Sequence, residues 1–137
     1  MSCVLCKTIE EKFRLIKETK HSFCIVAKYP IKEGHVLIMP KRHVTQNKFS
    51  DLTPEESSDL FGLIEFMQNK MNKFSDEDVI LYKNSESHST EGHLHFHLLP
   101  SKGHMREMFA SYENTPIRED ISKEKYVEMK ESILSVN

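Results

Sequence analysis

Residues 93–99 read "HLHFHLL" and place His93, His95 and His97 at alternate positions of an otherwise apolar segment. Successive side chains of a β-strand point to opposite faces of its sheet. A strand over this segment would therefore carry three imidazoles on one face, with leucine and phenylalanine on the other. The apolar face can be buried beneath helices, which leaves the imidazole face free for chemistry.

Three explanations of this row of histidines differ in their chemistry. The first is a set of buried polar residues satisfied by hydrogen bonds, but threonine or valine suits a strand better than histidine. The second is a catalytic zinc site of three histidines and water, although the third ligand usually comes from a neighbouring strand. In the third, a neutral imidazole nitrogen of His95 attacks phosphorus and forms a phosphohistidine that water cleaves. That mechanism requires the other nitrogen of His95 to donate to a fixed acceptor such as a backbone carbonyl.

The apolar pattern elsewhere in the chain predicts the elements around this segment. Apolar runs rich in β-branched residues predict three further strands, over 21–30, 35–40 and 78–84. Three- and four-residue apolar spacing predicts helices over 8–17, 53–74 and 121–135. The second helix is the clearest, because Thr53-Pro54-Glu55-Glu56 combines a capping box with proline at the first helical position.

The order of these elements predicts the fold class. Short links join the first two strands and the last two, so we expect an α+β fold with a mostly antiparallel sheet and helices over one face. A length of 137 residues with 38% hydrophobic residues suits a single domain over 1–137 with one core.

Composition excludes several classes of function. Nineteen lysines and arginines against 21 aspartates and glutamates give a net charge of −2, so stable nucleic-acid binding is not expected. Four glycines are too few for a phosphate-binding glycine loop. No stretch approaches the roughly 20 apolar residues of a membrane span. The N-terminus lacks the pattern of a secretory signal, so we expect a cytoplasmic protein, with nuclear access if it is eukaryotic.

Two segments of the chain resemble the histidine triad (HIT) superfamily of nucleotide hydrolases and transferases. "HLHFHLL" fits the pattern that names the superfamily, and "GHVLIMPKRHV" over 34–44 looks like its Gly-His segment. The resemblance covers roughly residues 3–105 and leaves 106–137 as a C-terminal extension. It implies a HIT-like fold of about five strands with a long central helix and a C-terminal helix, and a homodimer whose sheet continues across the interface.

The resemblance also implies roles for individual residues. His95 would be the nucleophile, His97 would contact the phosphate and help the leaving group, and His35 would complete their hydrogen-bond network. Asn84, Ser89 and Thr90 lie in the loop before the triad, where family members contact the phosphate or the leaving group.

One departure from the family pattern concerns the ribose. Many members carry Asp or Asn eight residues before the Gly-His histidine, where it binds the ribose hydroxyls, and this chain has Ala27. Alanine cannot accept a hydrogen bond through its side chain, so Lys28 or another group takes over, or the nucleoside is held more loosely.

Cys3 and Cys6 form a Cys-x-x-Cys motif with three possible meanings: a redox pair, half of a zinc site, or two ordinary thiols. Many HIT proteins complete a structural zinc site with two histidines, and the matching positions here are His43 and His93. The resemblance therefore implies zinc bound by Cys3, Cys6, His43 and His93. Four protein ligands leave no open coordination position, so the metal would be structural.

Three functions follow from these expectations. The first is hydrolysis at the α-phosphate of a nucleoside-monophosphate conjugate, such as a phosphoramidate or a dinucleoside polyphosphate, with a purine nucleotide as ligand. The second is removal of adenylate from nucleic-acid ends or nucleotidyl transfer, and the net charge argues against work on DNA ends. The third, favoured by Ala27, is a non-catalytic nucleotide-binding or scaffold protein.

Overall fold

Five antiparallel strands form one sheet in the order β1-β2-β3-β5-β4. The computed structural model describes residues 3–85 and 92–137, and these form two compact units, within 1–102 and 103–137. The strands of the first unit are β1 Leu15–Glu18, β2 Ser22–Val26, β3 Val36–Pro40, β4 Asp78–Tyr82 and β5 Phe96–Ser101. Its α-helices are α1 Val4–Lys7 and α2 Pro54–Phe74, and the second unit holds α3 Met105–Glu113 and α4 Lys123–Leu134.

Helix α2 covers one face of the sheet and confirms the predicted long helix. The Thr53 hydroxyl accepts from the backbone N–H of Glu56, and the Glu56 carboxylate accepts from that of Thr53, so the capping box is complete. The Arg42 guanidinium beside Glu56 lowers the pKa of that carboxyl to about 2. Apolar side chains of α2 pack onto alternate residues of the sheet in one cluster that includes Cys24, Val36, Ile38, Leu94 and Leu98.

The N-terminal segment covers the opposite face. Leu5 of α1 is buried in a second cluster with Phe23, Ile25, Leu37 and Met39 of the two central strands. These residues alternate along β2 and β3 with members of the first cluster, so both strands are buried on both sides. This packing brings the N-terminal cysteines to the face of the sheet that is not covered by α2.

The predicted helix over 8–17 is wrong. Residues Thr8–Glu10 form a single 3₁₀ turn, and the chain then enters β1, which pairs with β2. Phe13, which the helical spacing placed on a buried face, is 87% exposed. Backbone pairing begins with the N–H of Val26, which donates to the carbonyl of Arg14 at 2.9 Å. The backbone hydrogen bonds of a half-buried edge strand to its neighbour therefore override the weak helical pattern of this short segment.

The histidine segment starts its regular strand later than predicted. β5 begins at Phe96, and His93 forms only an isolated bridge with Thr45. The chain bends between β3 and Val44, and beyond the bend pairing resumes when the N–H of Leu94 donates to the Val44 carbonyl. The segment preceding β5 is thus held by residues 44–46, at the end of the Gly-His segment and directly after it.

The second unit contains two helices, of which the sequence predicted one. Helix α4 lies within the predicted range 121–135, and the Ser122 side chain caps it by accepting from the N–H of Lys125 at 3.2 Å. Helix α3 was not predicted, and it ends at Asn114, whose φ of 56° is the left-handed conformation typical of a helix C-terminus. Within the described ranges, none of the helices has both the length and the apolarity of a membrane span. The expectation of one domain over 1–137 stays a prediction.

Candidate active site

The three histidines lie on the side of the sheet opposite α2. Leu94 and Leu98 belong to the cluster under α2, and Phe96 packs against that cluster. His93 is fully buried and His95 is 6% exposed. The ring centroids of His95 and His97 are 5.0 Å apart. The predicted division into an apolar face and an imidazole face is therefore present, although the first two histidines precede the regular strand.

One contact fixes the proton on His95. Its Nδ1 lies 2.8 Å from the backbone carbonyl oxygen of His93. A carbonyl oxygen only accepts, so Nδ1 carries the hydrogen and donates. The neutral ring then has its lone pair on Nε2, the form that a nucleophile needs. This is the carbonyl contact that nucleophilic attack by His95 requires.

A second set of contacts fixes His35 and His97. The backbone N–H of Ile31 donates to Nδ1 of His35 at 3.0 Å, so the hydrogen of the neutral His35 ring is on Nε2. That Nε2 lies 2.9 Å from Nδ1 of His97 and donates to it. Neutral His97 therefore carries its own hydrogen on Nε2. The predicted network between His35 and the triad is present, and it sets a direction of donation from Ile31 through His35 to His97.

Burial favours the neutral form of the His35 and His97 rings. Burial, together with the neighbouring His95 and His35, lowers the pKa of His97 to about 4. Burial also lowers the pKa of His35. Tyr82 stacks on His97 with parallel rings and centroids 4.4 Å apart, which restricts the rotation of the imidazole.

A cavity of about 240 Å³ opens beside these histidines. His35, His95 and His97 line it together with Arg14 and Lys28, and the described lining residues include no carboxylate. Arg14 is held in place, since its Nε donates to the Val26 carbonyl at 3.0 Å and its Nη1 pairs with Glu11 at 2.5 Å. The cavity therefore joins a row of imidazoles to two cations, an environment that suits an anionic ligand.

The other predicted ligand-binding residues lie at different places. Ala27 lines the cavity, and Lys28 is exposed at the same cavity. Asn84 is half-buried just after β4, and its carbonyl accepts from Nζ of Lys83 at 3.0 Å. It is not among the described residues that line the cavity. Ser89 and Thr90 lie outside the described residues.

The four predicted metal ligands converge beside the triad. The ligand atoms of Cys3, Cys6, His43 and His93 all lie within 4.8 Å of one another. Nδ1 of His93 is 3.6 Å from Sγ of Cys3 and 3.2 Å from Sγ of Cys6, and Nδ1 of His43 is 3.4 Å from Sγ of Cys6. Tetrahedral zinc, with bonds of about 2.3 Å to sulfur and about 2.0 Å to nitrogen, requires sulfur–nitrogen separations of about 3.5 Å.

The surroundings of this cluster also fit a cation. Nε2 of His93 donates to the Pro40 carbonyl at 2.8 Å, which leaves the lone pair on Nδ1, the atom that faces the cysteines. Without a cation, burial and the neighbouring Cys3 raise the pKa of the Cys6 thiol to about 11. A divalent cation would supply the positive charge that thiolates need there.

Three residues of the site, Arg14, Tyr82 and Gln46, were not predicted from the sequence. Arg14 was placed on a helix that does not form. Tyr82 was assigned only to a strand, because nothing local pairs it with His97. Gln46, whose amide lies 3.0 Å from Nδ1 of His95, had a usable signal, since it follows His43 by three residues in the segment next to the histidines.

Comparisons with known proteins place the chain in one protein family. The profile of the protein family described as "HIT domain" matches residues 8–104. The adenosine 5'-monophosphoramidase HNT1 of Saccharomyces cerevisiae is 33% identical over 104 residues, which cover 74% of this chain and 63% of the yeast protein. The bis(5'-adenosyl)-triphosphatase of Dictyostelium discoideum is 32% identical over 110 residues, which cover 78% and 69%.

The fold comparison covers almost the whole chain. The crystal structure of a histidine triad nucleotide-binding protein from Candida albicans matches with a TM-score of 0.68 and 24% identity, over 96% of this chain and 94% of the other. At that identity the match shows a shared fold. The chain spans 27% and 63% of the length of the first two curated relatives that it matches.

Proposed function

The chain belongs to the HIT-domain family, and from that premise we propose that it is a hydrolase or transferase acting on a nucleoside-monophosphate conjugate. The observation that carries the proposal is the hydrogen bond from Nδ1 of His95 to the His93 carbonyl, which leaves Nε2 as a nucleophile beside the cation-lined cavity. The names of the two relatives support a phosphoramidate or a dinucleoside polyphosphate as the substrate, with a purine nucleotide as the part that is retained.

The reaction would proceed in two displacements at the α-phosphorus. Nε2 of His95 forms a bond to phosphorus while the bond from phosphorus to the leaving nitrogen or oxygen breaks, and the leaving group takes up a proton. Water then forms a bond to phosphorus and gives up a proton to solvent, which balances the proton that the leaving group took up, while the P–Nε2 bond breaks and the nucleoside monophosphate is released. In a transfer reaction another nucleophile takes the place of water. The covalent nucleotidyl-histidine is part of the proposal.

His97 would act as a hydrogen-bond donor in both displacements. The network from Ile31 through His35 leaves the His97 hydrogen on Nε2. A neutral imidazole N–H stabilises negative charge that develops on a phosphoryl oxygen or a leaving atom. His35 would then be a positioning residue, because its two ring nitrogens are engaged by the Ile31 N–H and by Nδ1 of His97.

Charged and polar side chains around the cavity would also contact the substrate. Lys28 and Arg14 attract the phosphate groups, and this attraction does not depend on the base. Contacts from Asn84, Ser89 and Thr90 to the phosphate or the leaving group stay part of the proposal.

The cysteine–histidine cluster would hold structural zinc. Cys3, Cys6, His43 and His93 supply two sulfur and two nitrogen ligands at separations that suit tetrahedral coordination. The metal would tie the N-terminal segment to the residue whose carbonyl accepts from His95. A cytoplasmic location, where thiols stay reduced, belongs to the same proposal.

A homodimer would form through the edge of the sheet at β4. Strand β4 pairs only with β5 among the described residues, so its other edge is open to a second copy. Leu81 on this strand is 41% exposed, and its cross-strand neighbour Leu98 lies on the face that α2 covers. Phe61 of α2 is 55% exposed beside Phe96, which adds apolar surface near this edge.

The decisive experiment compares His95→Gly with wild-type protein on adenosine and guanosine phosphoramidates and on diadenosine polyphosphates. We expect turnover to fall by at least about a thousandfold while nucleotide binding persists. An acid quench of the wild type should trap the nucleotide on His95. A matched control is His104→Gly at an exposed position of the second unit. Near-normal turnover by folded, metal-replete His95→Gly would refute the proposed nucleophile. Tight binding without hydrolysis of any substrate by the wild type would favour the scaffold function.

A further inference from the structure

Gln46 reaches the nucleophile from a segment outside the triad. Its backbone N–H donates to the Gly92 carbonyl at 2.9 Å, in the same pairing that joins Val44 to Leu94. This pairing turns the Gln46 side chain into the protein, where it is fully buried. The nitrogen of its side-chain amide lies 3.0 Å from Nδ1 of His95.

The His93 carbonyl and the Gln46 side-chain amide therefore both lie within hydrogen-bond distance of Nδ1 of His95. The His93 carbonyl can only accept, so Nδ1 of His95 must carry a hydrogen and donate. An Nδ1 that carries a hydrogen has no lone pair for a hydrogen bond from the Gln46 NH2 group. The amide oxygen and nitrogen exchange places by a half-turn of the terminal torsion, and the two atoms are nearly equal in size. With the oxygen toward the ring, both neighbours accept from the same N–H.

We infer that Gln46 is a positioning residue that turns its amide oxygen toward Nδ1–H of His95 and thereby holds the imidazole in the tautomer with a lone pair on Nε2. If the amide nitrogen donated instead, the ring hydrogen would move to Nε2 and block the attacking atom. A second acceptor favours the Nδ1–H form, because it adds a hydrogen bond that only this form makes.

The catalytic consequence of this arrangement rests on the proposed function. When Nε2 bonds to phosphorus, the ring keeps its Nδ1 hydrogen and becomes positively charged. Hydrogen bonds that involve a charged group are stronger than neutral ones, so two acceptors on Nδ1–H stabilise the intermediate more than the free ring. Gln46 is thus expected to affect kcat more than KM, because it does not touch the substrate.

The test of the tautomer uses the wild-type, metal-loaded protein and needs no substrate. Neutron diffraction on deuterium-exchanged crystals locates the deuterium atoms of His95 and of the Gln46 amide. We expect deuterium on Nδ1 of His95 and the Gln46 oxygen facing it. An ND2 group of Gln46 facing a bare Nδ1 would overturn the inference, whatever the activity of the protein.

Variants test the consequence for catalysis. Gln46→Met keeps the length of the side chain without the oxygen, Gln46→Glu keeps an acceptor, and exposed Gln68→Met on α2 is the matched control. We expect Gln46→Met to lower kcat by about ten- to a hundredfold with little change in KM, and to increase the Nε2–H form of His95 in ¹⁵N NMR. Gln46→Glu should keep the Nδ1–H form and lose less activity.

The outcomes separate the inference from the proposed function. A folded Gln46→Met protein with the wild-type kcat and the wild-type ¹⁵N spectrum of His95 would overturn the positioning role. If the neutron and NMR results are as expected but the wild type turns over no nucleotide conjugate, the proposed function fails and the assignment of the tautomer stands. Thermal melts of each variant identify any that does not fold, and the neutron result on the wild type decides in that case.

Discussion

Nε2 of His35 lies 2.9 Å from Nδ1 of His97, so the residue that precedes β3 sets the proton position of the second residue of β5. The backbone N–H of Ile31 occupies the other nitrogen of His35 at 3.0 Å. This leaves one assignment for the two neutral rings, with a hydrogen on Nε2 of each. The hairpin between β2 and β3 therefore orients a hydrogen-bond donor at the cavity.

Substitutions at His35 should change catalysis through His97. His35→Gln retains a donor that can reach Nδ1 of His97, whereas His35→Leu does not. We expect His35→Leu to lower kcat by about ten- to a hundredfold and His35→Gln to lose less, because only the leucine leaves His97 free to change its tautomer. Steady-state kinetics with an adenosine phosphoramidate and ¹⁵N NMR of His97 measure both effects. Equal activity of wild type and the leucine variant would argue against this role.

Removal of a cysteine from the metal cluster should release zinc and destabilise the first unit. Cys6→Ser removes one of four ligands, so we expect zinc content to fall and the free energy of unfolding to drop by more than about 2 kcal/mol. Metal analysis of protein without a histidine tag and urea unfolding check this. Cys24→Ala is the control, because Cys24 is buried among apolar residues away from the cluster. Wild-type zinc content near zero after addition of excess zinc would contradict the prediction.

An acceptor at position 27 should improve binding of ribose. Ala27 lines the cavity without a polar side-chain atom, and Ala27→Asn adds an amide that can hydrogen-bond the sugar hydroxyls. We expect KM for an adenosine conjugate to fall by about two- to tenfold, the equivalent of one hydrogen bond, with little change in kcat. The matched 2',3'-dideoxy conjugate should show no improvement. An equal fall in KM for both substrates would show that the change comes from packing and not from a hydrogen bond to the ribose.

The stability of the first unit should decline as the pH falls from about 6.5 toward 4. Burial lowers the pKa of His97 to about 4, so the folded state favours the neutral ring over the charged one. The contribution of His97 to stability is therefore complete above its ordinary pKa of about 6.5 and is lost as the pH falls through about 4. His95 and His35, when protonated, oppose a charge on His97, and the side chains of Arg14 and Lys28 line the same cavity.

This pH dependence can be assigned to His97 by comparison with His97→Gln. Urea unfolding of both proteins at pH 7.5 and pH 5 should show a smaller loss of stability in the variant. Both proteins retain the cysteine–histidine cluster, so metal release affects both alike and cancels in the difference. Parallel losses of stability would contradict the prediction.

A charge at the edge of the sheet should dissociate the proposed dimer. Leu81→Asp places a carboxylate on the exposed side of β4, where a second copy would bury it without a partner. We expect light scattering to give twice the chain mass of 16.1 kDa for the wild type and 16.1 kDa for the variant. Phe13→Asp is the control, because Phe13 is exposed before β1, at the opposite edge of the sheet. A monomeric wild type at all concentrations would remove the dimer from the proposal.

The sequence by itself determined the features that depend only on residues close together in the chain. Alternation around His95 assigned the imidazole face and the apolar face, because the side-chain period of an extended chain is two. The capping box at Thr53 located the start of α2, because both of its hydrogen bonds are local. The same kind of reasoning failed over 8–17, because a short apolar pattern there fits a helix as well as an edge strand.

The tertiary structure alone decided which distant residues meet. Gln46 reaches His95 and Tyr82 stacks on His97 because the register of pairing between separate segments brings them together, and no local period encodes that register. Arg14 lines the cavity because the chain that follows it forms β1 and pairs with β2 instead of continuing a helix. The tautomers of His35, His95 and His97 depend on neighbouring groups from distant parts of the chain, such as the two imidazoles of His35 and His97 that are 62 positions apart, and the fold fixes those distances.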